Sequence, residues 1–93
     1  MSQLISVEIS LYPLSAEYIP EILGFIQRLR ANRKLTIVTN TMSTQVQGEY
    51  DEVWDTLKRE MRPNLTGPHH AVFATKFLGP VEPGLVYDES AEP

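Results

Sequence analysis

Over residues 5–12 apolar and polar side chains alternate, with Ile5, Val7, Ile9 and Leu11 on one face and Ser6, Glu8, Ser10 and Tyr12 on the other, the period of a half-covered β-strand. Pro13 follows and is expected to stop strand pairing, because it has no N–H to donate to a ladder. Tyr18, Ile22, Phe25, Ile26 and Leu29 then recur at helical spacing. Pro20 suits only the first turn of that helix, which therefore starts near Glu17 or later. Residues 35–39 are short and β-branched, Asn40-Thr41 can turn the chain, and residues 42–48 alternate again, a pattern that predicts a β-hairpin. Tyr50, Val53, Trp54, Leu57 and Met61 mark the apolar stripe of a second helix, opened by Asp51 and Glu52 and closed by Lys58, Arg59 and Arg62 ahead of Pro63. After a loop over residues 63–68, residues 71–78 predict a last strand.

The predicted order, β-α-β-β-α-β, is that of the α+β ferredoxin-like sandwich, in which an antiparallel four-stranded sheet carries two helices on one face. Residues 1–79 form this single domain, and residues 80–93 are an acidic, Pro/Gly-rich C-terminal tail. If the helices cover Ile5, Val7, Ile9 and Leu11, the other face presents Glu8, Ser10 and Tyr12 with Ser43, Gln45 and Gln47 and with Val72, Ala74 and Lys76. A purely solvated face rarely gathers Tyr12, Val72 and Ala74, so a second subunit's sheet or a ligand is expected to cover part of it.

Composition narrows the function classes. The chain has 93 residues and no cysteine, which excludes disulfides, thiolate metal sites and a cysteine nucleophile and fits a cytoplasmic home. So short a chain buries a modest core, and association with further copies is expected. The net charge of −4 resides beyond Gly79, in Glu82, Asp88, Glu89 and Glu92, while acids and bases balance over residues 1–79. No basic stripe remains for nucleic acid, and no apolar run is long enough to span a membrane. His69-His70 carries no metal reading, since adjacent strand residues point to opposite faces and no third ligand stands at a recognised spacing. No serine–histidine–acid order, phosphate-cradling glycine loop or pair of catalytic carboxylates is legible, and no cofactor is called for.

Glu8-Ile9-Ser10-Leu11-Tyr12-Pro13-Leu14, Tyr18, and the segment from Thr39-Asn40-Thr41-Met42-Ser43-Thr44 to Val46-Gln47-Gly48-Glu49 resemble the YkoF-like, DUF77-type family of thiamine- and hydroxymethylpyrimidine-binding proteins over about residues 4–78. The resemblance implies ferredoxin-like domains that assemble through their sheets, as a dimer or tetramer, and that bind thiamine or its pyrimidine moiety without catalysis, in thiamine transport, salvage or sensing. It implies a binding set of Glu8, Ser10, Tyr12, Thr39, Asn40, Met42, Ser43 and Thr44. A flat aminopyrimidine needs donors and acceptors in one plane and a wall to stack on, and this set supplies both. Glu8 departs from relatives that carry an amide there, and its carboxylate could face a cationic thiazolium. Each residue also has a plainer role open to it: Glu8 as a cross-strand partner of Lys76, Asn40 as a turn residue, Met42 as core filling, and Thr39 and Thr44 as ordinary strand residues. From a different class, the chain could be a structural or regulatory homo-oligomer with no vitamin ligand, its polar sheet face serving subunit contact alone.

Overall fold

The computed structural model describes residues 3–82. Within them the order is β1 (Leu4–Pro13), α1 (Tyr18–Arg30), β2 (Thr36–Thr39), β3 (Thr44–Glu49), α2 (Tyr50–Leu65) and β4 (Ala71–Leu78). The four strands form one antiparallel sheet in the order β2-β3-β1-β4. This is the ferredoxin-like βαββαβ arrangement expected from the pattern. The expected tail lies outside the described residues from position 83 onward; ahead of it, Val81 is buried and its N–H bonds the Leu4 carbonyl at 2.9 Å. No helix among the described residues is long and apolar enough to cross a membrane.

The core lies between the helices and one sheet face. Val7, Ile9 and Leu11 of β1 and Val46 of β3 pack with Phe25 and Leu29 of α1 and Val53 and Leu57 of α2, closed at the hairpin side by Leu35. The registers Val7↔Val46 and Val7↔Phe77 place all three strands' alternate residues on this face. Phe25 and Phe73 meet edge to face at 5.1 Å between centroids. Gly48 lets β3 pass under α2 and Leu35, because a Cβ there would stand 2.5 Å from Leu35 Cδ2.

Polar contacts set the helix pair. Asn32, just past α1, donates through Nδ2 to Glu52 Oε2 at 2.7 Å and to the fully buried Thr56 Oγ1 at 2.8 Å, both on α2. At the other end of the contact, Arg28 donates to the Glu60 carbonyl and to Asn64 Oδ1 and lies 3.2 Å from the Glu60 carboxylate. Glu49 caps α2 by accepting the Glu52 N–H at 3.0 Å.

Three boundaries depart from expectation. α2 does not end before Pro63 but continues to Leu65 with Pro63 inside it. Arg28 holds Glu60 and Asn64 on either side of the proline from outside the helix, and Thr66 closes the last turn by donating its N–H, in the i→i−4 pattern, and its hydroxyl to the Arg62 carbonyl. Pro13 does not stop pairing either: it is the last residue of β1, opposite Ala71. The Leu14 N–H bonds the His70 carbonyl, so even-numbered β1 residues turn their peptide groups toward β4 and odd-numbered ones toward β3. The nitrogen of Pro13 thus faces the side where β3 has already ended, and its missing N–H costs no ladder bond. β3 begins at Thr44 instead of position 42, because Asn40 Oδ1 accepts the N–H groups of both Met42 and Ser43 and holds them in the turn.

Two substitutions test this packing. Asn32→Ala removes the partner of a buried Thr56 hydroxyl and is expected to lower stability by about 1–3 kcal/mol, read as a lower urea midpoint at unchanged slope. Gly48→Ala forces Leu35 aside and is expected to cost about 1–3 kcal/mol in the same assay.

Candidate functional site

A cleft of about 500 Å³ opens where the end of β1, the β2–β3 hairpin and the first half of α1 converge. Its apolar wall comes from Leu11, Pro13, Leu14, Tyr18, Ile22, Phe25 and Ile26, and its polar rim from Ser10, Tyr12, Thr39, Asn40, Thr41, Ser43 and Thr44. None of the residues lining it carries a formal charge. A carboxylate adjoins it nevertheless: Ser43 Oγ donates to Glu8 Oε2 at 3.0 Å, and Lys76 Nζ stands 3.8 Å from the other Glu8 oxygen. Lys76 is almost wholly exposed, so that ion pair adds little stability.

The floor of the cleft is a strand edge. The β1–β3 ladder stops at Ile9 opposite Thr44, whereas β1 stays paired with β4 through Pro13. By the alternation set at Leu14, the Leu11 N–H and C=O point to the hairpin side and have no β3 residue opposite them. One donor and one acceptor therefore stand side by side in the sheet plane, beside the aromatic rings of Tyr12 and Tyr18.

Of the residues singled out in the sequence, Ser10, Tyr12, Thr39, Asn40, Met42, Ser43 and Thr44 line the cleft, and Glu8 reaches it through Ser43. The sheet divides them. Glu8, Ser10, Tyr12 and Ser43 lie on the face away from the helices, while Thr39 and Thr44 lie on the helix side, with their hydroxyls 3.1 Å apart and Thr44 only 5 % exposed. Asn40 Oδ1 is engaged by the turn, the plainer role open to it. Met42 fills no core: it stands 83 % exposed at the tip of the hairpin. Glu8 makes the cross-strand pair with Lys76 as well as the bond to Ser43. The candidate set left out Tyr18, Ile22, Phe25 and Ile26 of α1, since helical spacing marks the helix's apolar side without telling which part of that side is covered, and it left out Leu14, which lies in the loop between β1 and α1. Among the described residues no cluster of His, Cys, Asp or Glu could hold a metal ion.

Solved structures share this architecture. A protein of Methanocaldococcus jannascii superposes with a TM-score of 0.75 at 20 % identity, over 95 % of this chain and 92 % of that one. A DUF77 domain from Bacillus cereus gives 0.65 at 18 % identity, over 98 % and 89 %. A Thermotoga maritima protein, provisionally assigned to thiamine biosynthesis or salvage, gives 0.61 at 18 % identity, over 94 % and 92 %. At such identities the likeness concerns the fold. A search of curated proteins finds no match. The model of the YKOF-related family matches residues 4–78, which takes in all six elements of the sheet and its helices, and the chain belongs to that family.

Proposed function

We propose that this chain binds thiamine or its hydroxymethylpyrimidine moiety in the cleft at the end of β1, without catalysing a reaction, in thiamine transport, salvage or sensing. The observation that carries the reading is the open strand edge at Leu11 set beside aromatic rings: a peptide N–H and C=O in one plane match the neighbouring ring nitrogen and amino group of an aminopyrimidine, and Tyr12 and Tyr18 offer faces to stack on. Ser10 and Ser43 add side-chain donors and acceptors, and Glu8 adds negative charge on the side where a thiazolium would lie. Membership of the YKOF-related family and the thiamine assignment of the Thermotoga protein support the same ligand class.

The open sheet face supports a second part of the proposal, self-association. Tyr12, Val72 and Leu78 lie on it half or more exposed, with Ala74 between them, and a second copy's sheet would bury them. A homo-oligomer with no vitamin ligand is the competing reading, favoured by this same apolar face.

Calorimetric titration decides between them. Thiamine or hydroxymethylpyrimidine is expected to bind saturably, with Tyr12→Ala weakening affinity by about tenfold through the lost stacking surface. Intact assembly with no heat and no thermal stabilisation from either compound would leave the competing reading. Thiamine diphosphate is expected to bind at least about tenfold more weakly than thiamine, because no lining cation would compensate its charge. Sedimentation should give a mass above the 10.5 kDa of one chain, and Val72→Glu with Ala74→Glu should return it to that mass.

A further inference from the structure

The sheet face turned away from the helices carries little charge. Among the described strand residues on it, Glu8 and Lys76 stand directly opposite each other on β1 and β4. The other charged residue at that parity, Glu49, lies at the far end of β3 opposite Leu4, where its carboxylate caps α2. Across β3, Glu8 meets the neutral Gln45.

The two oxygens of Glu8 serve opposite sides of β1. On the hairpin side Oε2 accepts from Ser43 Oγ at 3.0 Å, and Ser43 lines the cleft. On the β4 side Oε1 lies 3.8 Å from Lys76 Nζ. The Lys76 side chain is 86 % exposed, so its ammonium is held there by charge and not by packing. A cation entering the cleft beside Ser43 therefore meets a carboxylate whose charge is already partly balanced from behind. We propose that Lys76 sets the ligand preference of the cleft: by balancing Glu8 across β1 it holds back the cationic thiazolium of thiamine and leaves the uncharged hydroxymethylpyrimidine unaffected. This inference rests on the thiamine-type reading of the site. Lys76 needs no contact with the ligand, because it acts through its field. Strands lie about 4.8 Å apart, which puts a charge on β4 and one beside the hairpin roughly 10 Å from each other, comparable with the Debye length of about 8 Å at physiological salt. Preference set in this way can be retuned at one exposed position without reshaping the cleft.

Calorimetric titration with thiamine and with hydroxymethylpyrimidine, at low salt and slightly alkaline pH, reads the ratio of the two affinities. Lys76→Met is expected to raise thiamine affinity about threefold and Lys76→Glu about tenfold, with hydroxymethylpyrimidine affinity unchanged in both. Lys76→Arg, which keeps the charge, should keep the wild-type ratio, and high salt should erase the gain of Lys76→Met. Glu8→Gln, which leaves the ammonium unopposed, should move thiamine the other way by about threefold. An unchanged ratio in Lys76→Met and Lys76→Glu, with both compounds still binding, would overturn the role of Lys76 and leave the site standing. An equal change for both compounds would also overturn it, by reducing Lys76 to a support of the strand. Binding of neither compound to the wild-type protein would overturn the thiamine reading itself, and this inference with it.

Discussion

β1 is longer than the strand beside it, and the candidate site exists because of that mismatch. Its pairing with β4 persists to Pro13, while β3 falls away after Thr44, where Asn40 gathers the Met42 and Ser43 N–H groups into a turn. A strand edge inside a sheet normally has both neighbours; here one side of Leu11 is left open within the molecule's own concavity. The proline at the end of β1 fits the same geometry, since its nitrogen points to the unpaired side.

What closes the concavity is the placement of α1, and α1 is held by polar contacts as much as by the core. Arg28 ties it to Glu60 and Asn64, and Asn32 ties the chain just after it to Glu52 and Thr56. Those bonds are partly or wholly shielded from water, so losing one partner leaves a polar group unsatisfied, and this makes the angle between the helices costly to change. With its last turns fixed, α1 extends Tyr18, Ile22 and Ile26 over the cleft, while Phe25 reaches down to Phe73.

The site's chemistry is likewise divided by the sheet. Glu8, Ser10, Tyr12 and Ser43 belong to the face that a second subunit could cover, and Thr39 and Thr44 to the face under the helices. Only beyond the end of the β1–β3 ladder can one small molecule touch groups from both. A ligand there and a partner sheet on the open face would therefore share Tyr12, which couples assembly to binding in the proposed function.

Alternation over residues 5–12, the helical stripes from Tyr18 and from Tyr50, and the turn at Asn40 are local patterns, and they sufficed for the order of elements and the faces of β1 and β4, whereas the candidate residues came from the family resemblance. Local pattern also explains where the reading stopped: a proline is read as a stop because its effect is judged from the chain alone, whereas Pro63 is spanned by contacts from Arg28 and Pro13 sits on an edge without a neighbour. Alternation from Ser43, Gln45 and Gln47 on the open face already puts Thr44 on the helix side, but only the register Thr39↔Thr44 sets the two hydroxyls opposite each other. The spacing of apolar residues by itself determined which elements form, because periodicity is a property of each segment. Which of those residues are covered, where β1 loses its partner and so where a cleft opens were decided only by tertiary structure, because they depend on the unequal lengths and the register of strands far apart in sequence.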